Sequence, residues 1–260
     1  MSVREWLPEA AERLAAAGCD TPRLDAELLV AGALGVERAR LVTEPGLHVP
    51  AQAVTWLARR EAREPVAYIL GRRAFRRIEL RVDRRVLIPR PESELLVEVA
   101  LELPRRARVH DVGTGSGAVA LAIKDERADL RVSASDASVD AMVVARANAD
   151  ALGLEVELSV ARGLPAGEYD LVTANLPYVR TDELAGLAPE ISGYEPLEAL
   201  DAGPDGLDAI REVVQEAGGG TALALEHAPG QGEAVRALLE GAETRADLAG
   251  LPRVTVGRAP

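Results

Sequence analysis

Apolar side chains recur at helical spacing through residues 1–70. Trp6, Ala10, Leu14 and Ala17 share one face, and Gly18 follows as a stop signal. Thr21-Pro22 reads as an N-cap with proline at the first helical position. Leu24, Leu28, Leu29 and Ala31 supply the next apolar face, which Gly35 ends. Pro50 opens a third helix with Val54, Leu57 and Ala58 turned inward, and Pro65 closes it. Trp6 and Trp56 read as core of a small helical bundle, since no strand pattern interrupts the region.

The period changes at residues 72–88, where Phe75, Ile78, Leu80, Val82, Val86 and Ile88 fall near alternation around Asp83-Arg84. A β-hairpin linker is expected there. Pro91, Glu92 and Glu94 carry helix-start chemistry, with Leu95, Leu96 and Val99 continuing. Beyond residue 106 strands and helices alternate. Strands are expected at Arg108–Val112, Arg131–Asp136, 156–161, Tyr169–Ala174, Thr221–His227 and Arg253–Gly257. Helices are expected at 117–125, 138–151, 205–217 and 231–240. That alternation predicts an α/β domain built on a mostly parallel, doubly wound, Rossmann-like sheet. The expected division is 1–71 helical, 72–88 linker and 89–260 the α/β domain.

Composition narrows the class only a little. The 260 residues are 48% hydrophobic and 28% charged, an ordinary globular balance. No apolar run approaches the ~20 residues of a membrane span, and the acidic start at Glu5, Glu9 and Glu12 does not resemble a signal peptide. The lone cysteine, Cys19, gives neither an intrachain disulfide nor zinc spacing, and fits a buried thiol in a reducing cytoplasm. His48 and His110 have no partners in sequence reach, so no metal site is suggested. A net charge of −12 argues against a surface built to neutralise phosphates. The arginines at 72, 73, 76, 77, 81, 84, 85 and 90 read as a salt-bridged connector, with an RNA-associated or acidic partner as the other reading.

Two motifs carry the candidate chemistry. In Asp111-Val112-Gly113-Thr114-Gly115-Ser116-Gly117 the glycines let the backbone turn tightly and approach a ligand. Asp136, nineteen residues past Gly117, can accept from the ribose hydroxyls of an adenosyl group. The G-x-G-x-G spacing departs from the dinucleotide fingerprint, and Asp111 puts negative charge beside the loop. Both favour the sulfonium and ammonium groups of S-adenosylmethionine over a phosphate. Asn175-Leu176-Pro177-Tyr178 ends a later strand. The Asn175 side-chain oxygen and the Leu176 carbonyl can accept both N–H groups of a planar nitrogen, aiming its lone pair at a methyl donor. Tyr178 offers a stacking face and Pro177 stiffens the turn. The acceptor is then an amide or an exocyclic base amine. Glu190, Tyr194 and Glu195 form either a lid or a surface turn, and His227 is read as a rim or packing residue ahead of a general base.

Longer stretches resemble the release-factor glutamine methyltransferases, the PrmC/HemK family. The likeness runs through Pro22–Leu29, Arg63–Gly71, Leu87-Ile88-Pro89-Arg90-Pro91-Glu92-Ser93-Glu94, Asp111–Gly117, Tyr194-Glu195-Pro196 and Asp205-Gly206-Leu207. Glu226, Gln231-Gly232 and Asp247-Leu248-Ala249-Gly250 fall in register as well. The resemblance implies a helical domain that helps grip the substrate, a hairpin linker and a methyltransferase domain. It also implies methylation of the glutamine amide in the Gly-Gly-Gln motif of class I peptide-chain release factors. S-adenosylmethionine would be held by Gly113, Thr114, Gly115, Ser116, Gly117, Asp136 and Asn175, and glutamine by Asn175, Leu176, Pro177 and Tyr178. The expected protein is a cytoplasmic monomer that binds no nucleic acid directly. Three departures stand out: Leu176 where the family has proline, Arg162-Gly163 where it has an acidic and a large apolar residue, and Glu226-His227-Ala228 for Glu-Ile-Gly. They keep two rival readings open, a nucleic-acid adenine-N6 methyltransferase and a non-catalytic release-factor or ribosome-associated binding module.

Overall fold

Ser2 and Glu5 start the first helix: the Glu5 carboxylate accepts from the Ser2 N–H at 2.8 Å and its hydroxyl at 2.9 Å. This is helix α1, Val3–Ala16, in a computed structural model that describes residues 1–260. Helices α2 (Pro22–Leu34), α3 (Arg38–Thr43), α4 (Ala51–Glu61) and α5 (Val66–Leu70) follow. Gly35, at φ 67°, ends α2 in the left-handed conformation that glycine adopts without penalty. Trp6, Leu14, Ala26, Val30, Ala53 and Leu57 share one core, while Trp56 is only half-buried.

The inward face of α4 is Ala53, Leu57 and Arg60, not Val54 and Ala58, which are exposed. On α2, Ala26, Leu29 and Val30 are buried and Leu24 is exposed. The register of α4 follows from its ion pairs. Buried Arg60 meets Asp25 at 2.7 Å and Glu190 at 2.8 Å, and burying a guanidinium is tolerable only when it is paired in this way. Arg63 also meets Glu190, at 2.6 Å, and the Tyr194 hydroxyl donates to the Ala62 carbonyl at 2.7 Å. Residues Ala188–Tyr194 therefore join Met1–Arg72 in one compact unit; Arg73–Leu187 and Glu195–Pro260 form the second. Within their own unit, Glu190 and Tyr194 are anchored by these specific bonds.

Strands β1 (Arg72–Phe75) and β2 (Ile78–Arg81) make a short ribbon, turning through Arg76 at φ 49°. Pairing stops at Arg81, so 82–88 extends the ribbon no further, although Val82, Val86 and Ile88 are buried. Four arginines of the run form ion pairs within the unit: Arg76 and Arg77 with Glu126, Arg85 with Asp83 and Arg90 with Glu195.

A 3-10 turn at Pro91–Ser93 leads into α6, Glu94–Leu101. The main sheet then assembles from β3 (Arg108–Val112), β4 (Arg131–Asp136), β5 (Glu157–Val160), β6 (Leu171–Ala174), β7 (Ala222–Glu226), β8 (Glu240–Ala246) and β9 (Pro252–Arg258). The helices between them are α7 (Ala118–Glu126), α8 (Val139–Leu152), α9 (Pro189–Ser192, in the helical unit), α10 (Asp208–Glu216) and α11 (Gly232–Arg236). Strand order is β5-β4-β3-β6-β7-β9-β8, parallel from β5 to β7 and antiparallel at β9 and β8. Residues 237–240 were expected to continue a helix, but α11 stops at Arg236 and β8 begins at Glu240. No helix is long and apolar enough to cross a membrane.

The order of the sheet positions the site. Successive strands run outward from β3 through β4 to β5, and the chain then returns to β6 on the other side of β3. The crevice beyond the carboxyl ends of two such neighbours is where doubly wound sheets bind ligands. The glycine loop follows β3 and Asn175 follows β6.

Candidate active site

A cavity of about 450 Å³ opens at that crevice. Gly113, Thr114, Gly115, Ser116, Asp136, Asn175, Leu176 and Pro177 all line it; Gly117 and Tyr178 lie just outside the lining. Gly113, Gly115 and Gly117 have φ of 68°, 57° and 84°, a backbone path that side chains other than glycine's resist. A Cβ at Gly117 would stand 2.9 Å from Leu121 Cδ1, so this glycine also seats α7 against the loop.

Asp136 ties β4 to the loop. Its Oδ2 accepts from the Gly115 N–H at 2.9 Å and its Oδ1 from the Ser138 N–H at 2.8 Å. Each oxygen keeps a further lone pair for a ligand hydroxyl. Burial raises the Asp136 pKa, and these two N–H bonds oppose the rise. Asp111 is buried behind the loop, where its Oδ1 accepts from the Thr173 hydroxyl at 2.8 Å. Burial pushes its pKa to about 6, so it is mostly ionised at neutral pH.

The cavity wall is acidic. Asp136, Glu198, Asp201, Asp208 and Glu212 line it against Arg85 and Arg162, with Asp111 buried behind the loop. Such a field favours a cation and disfavours a phosphate. A glycine cradle, a free-lone-pair carboxylate at the next strand end and an acidic wall fit S-adenosylmethionine. At the far rim Arg162 is largely exposed and reaches Glu212 at 3.3 Å. Gly163 has no room for a side chain, since its Cβ would fall 2.1 Å from Glu216 Oε2, which accepts from the Leu164 N–H.

The acceptor motif is braced from several directions. Asn175 Nδ2 donates to Ser93 Oγ at 2.9 Å. Leu176 is buried, and its side chain lies over Gly113. Its role is therefore wider than the backbone carbonyl that sequence reasoning assigned it. Gln231 Nε2 donates to the Tyr178 carbonyl at 3.0 Å and the Gly206 carbonyl at 3.2 Å, while its Oε1 accepts from the Ala228 N–H at 2.9 Å. Gly206, at φ 76°, permits this approach, because a Cβ there would stand 2.5 Å from the Tyr178 oxygen. Val179 then pairs with residues 200–202: its N–H donates to Leu200 and its carbonyl accepts from Ala202. Burial raises the Tyr178 phenol to about 12, so it stays protonated.

Sequence reasoning gave no role to Ser93, Glu226 or Gln231, although all three fall in stretches that carry the family resemblance. Glu226 is buried at the end of β7, where burial pushes its pKa to about 7 and a Ser93 hydrogen bond opposes the rise. His227 is fully buried, with Nδ1 against the Ala228 carbonyl and Nε2 against the Thr255 hydroxyl, which makes it a packing histidine. Glu195 is buried as well: it accepts from the Ile88 N–H at 3.3 Å and pairs with Arg90, bracing the segment ahead of Ser93.

Comparison with known proteins adds to this geometry. Residues 5–71 match the family model described as the PrmC N-terminal domain, and residues 91–188 match the methyltransferase small domain. The release factor glutamine methyltransferase of Caulobacter vibrioides is 38% identical, with 98% of this chain and 95% of the relative covered. That of Deinococcus radiodurans is also 38% identical, with 99% of each covered. Among solved structures, the hMettl16 catalytic domain in complex with the MAT2A 3'UTR hairpin 6 has a TM-score of 0.53 at 14% identity, covering 68% of this chain and 75% of that one. At that identity the likeness is one of fold alone.

Proposed function

The chain belongs to the family of release factor glutamine methyltransferases, and from that premise we propose that it methylates the glutamine of the Gly-Gly-Gln motif in class I peptide-chain release factors. The carrying observation is the convergence of Asn175, Leu176 and Pro177 with Gly113–Ser116 and Asp136 on one cavity at neighbouring strand ends. Bound there, S-adenosylmethionine supplies an electrophilic methyl group on its sulfonium. Asp136 would hold the ribose, and the glycine loop would take the rest of the nucleoside edge.

Asn175 Oδ1 and the Leu176 carbonyl would accept the two N–H groups of the glutamine amide. A primary amide nitrogen is a poor nucleophile, since its lone pair is delocalised. Holding both hydrogens fixes the nitrogen's orientation, and orientation of this kind lowers a barrier without a strong base. Tyr178, uncharged at working pH, would pack on the planar amide. The nitrogen would gain the methyl group as the sulfonium's carbon–sulfur bond breaks to leave a neutral thioether, and its released proton would pass to solvent. The partner surface, the monomeric state and the cytoplasmic setting of translation termination belong to the same proposal.

Mass spectrometry tests it. Purified class I release factor incubated with the protein and S-adenosylmethionine should gain one methyl group on the Gly-Gly-Gln glutamine. Methylated adenine in RNA beside unmodified release factor would move the acceptor to nucleic acid. Asn175→Ala should depress turnover far more than cofactor affinity.

A further inference from the structure

Asn175 must present an oxygen to the acceptor, yet its amide has two ends of nearly equal shape. Here Nδ2 is turned inward to Ser93 Oγ at 2.9 Å, and Oδ1 takes no bond from the protein. What selects this orientation is not Ser93 alone, because a hydroxyl can either donate or accept. Ser93 has one hydrogen. If it goes to Asn175, the amide flips and presents Nδ2 to the substrate. If it goes elsewhere, Ser93 can only accept from Nδ2.

The other claimant is Glu226. Glu226 is 1% exposed, its Oε2 has no hydrogen-bond partner in the protein, and the Ser93 hydroxyl is the polar group that favours its ionised form. An ionised carboxylate accepts only, so it takes the Ser93 hydrogen. We propose that Glu226 and Ser93 are positioning residues for the acceptor: the chain Glu226–Ser93–Asn175 locks the Asn175 amide with Oδ1 toward the glutamine. Bonds in such a chain polarise one another, so donation by Nδ2 also strengthens Oδ1 as an acceptor. The assignment of Oδ1 to a glutamine amide rests on the function proposed above; the lock itself rests on the three side chains.

The lock carries a pH dependence. Protonated Glu226 can donate to Ser93, which frees the Ser93 hydrogen for Asn175 and removes the preference. Glu226 is surrounded by Ser93, Glu92 and Arg90 from the segment before α6, by Arg253 from β9 and by Tyr178 after β6. Glu92 favours its protonated form, while Arg90 and Arg253 favour the carboxylate. Burial sets its titration near neutrality, at about 7.

Two measurements on the full chain test the lock. The first is the side-chain amide NMR signal of Asn175, assigned by its loss in Asn175→Ala and followed from pH 5.5 to 8.5. It should shift with a midpoint near 7 in the wild type, and should not titrate in Glu226→Gln or Ser93→Ala. The second is turnover on release factor. Ser93→Ala should lower kcat by about tenfold or more while leaving the cofactor Kd within about twofold, and Ser93→Thr should restore it. Glu226→Gln should lower kcat and abolish the fall in rate below neutral pH. The lock is overturned if the Asn175 signal ignores pH in the wild type, or if Ser93→Ala keeps its kcat. It is also overturned if Glu226→Gln retains the acid limb. Failure of the wild type to methylate release factor removes the proposed substrate instead, and the NMR titration still decides the lock.

Discussion

Leu176 Cδ2 lies 3.0 Å from the point where a Cβ on Gly113 would stand. The acceptor motif and the cofactor loop thus interlock through a side chain that fits because its neighbour has none. On backbone stiffness alone, Leu176→Pro would gain up to about 1 kcal/mol. The buried side chain reverses the sign. Trimming it forfeits apolar burial and leaves space over Gly113, at a cost of about 1–2 kcal/mol. Leu176→Pro should therefore lower the urea midpoint while glutamine remains the methylated residue. A raised midpoint would mean that this packing contributes little. Gly113→Ala should cost about 1–2 kcal/mol through its φ of 68° alone.

Asp136 sits between two backbone donors and the cavity, so its removal acts twice. Asp136→Ala deletes the ribose acceptor and releases the Gly115 and Ser138 N–H groups that shape the loop. Cofactor affinity should fall by about 1.5–3 kcal/mol, which is roughly ten- to a hundredfold in Kd. Burial raises the Asp136 pKa, so its charged form is lost sooner as pH falls than for an exposed aspartate. Calorimetry should then find weaker binding at pH 5.5 than at pH 8. Equal affinity for wild type and variant would remove Asp136 from the site.

What was legible in the chain follows from where each signal lies. Strands β3 and β4 match their expected bounds residue for residue, because a central strand bounded by turn residues is a local pattern. Strand β8 was invisible: Glu240-Gly241-Ala242-Glu243-Thr244-Arg245 lies at the sheet edge, mostly polar, and is defined by its partner β9. Helices α3 and α5 are six and five residues long, too short to display a period. Arg60 and Asp25 are residue types that ordinarily stay at the surface, and only their pairing lets them be buried. The two ligand motifs are contiguous and could be read. Ser93, Glu226 and Gln231 reach them from distant segments, and no local spacing encodes that approach.

Gln231 uses both ends of its amide, which makes its chemistry easy to isolate. Gln231→Glu keeps the shape and the acceptor for the Ala228 N–H but loses the donor to the Tyr178 and Gly206 carbonyls. It also places an acceptor against those oxygens. The variant should lose about 1–3 kcal/mol of stability. It should raise KM for release factor or lower kcat, with cofactor Kd unchanged, because the brace lies behind Tyr178 and away from the glycine loop. Calorimetry for the cofactor beside steady-state kinetics for the protein substrate separates the two effects. A matched loss of cofactor binding would show that the brace supports the whole cavity.

His110 ties the pH dependence of stability to a single side chain. It is 2% exposed in β3, with Nδ1 at 2.8 Å from the Ser133 hydroxyl, Nε2 at 2.9 Å from the Ser135 hydroxyl, and its ring 4.9 Å from that of Tyr169. Neutral imidazole, with one donor and one acceptor, satisfies both rotatable hydroxyls. Burial lowers its pKa from 6.5 to about 4. The unfolded chain therefore binds a proton below pH 6.5 that the folded chain refuses until about pH 4. Stability from this group is complete above pH 6.5 and is lost progressively as pH falls toward 4. By pH 5 the loss should be about 2 kcal/mol, since a tenfold difference in proton affinity between folded and unfolded chain is worth about 1.4 kcal/mol. His110→Gln can bond the same serines but does not titrate, so its stability should fall less between pH 7.5 and pH 5. Urea unfolding of both proteins at pH 7.5, 6 and 5 measures the difference. Parallel curves would mean that His110 takes up its proton in the folded state at the ordinary pH, and that the two serines and Tyr169 accommodate the charge.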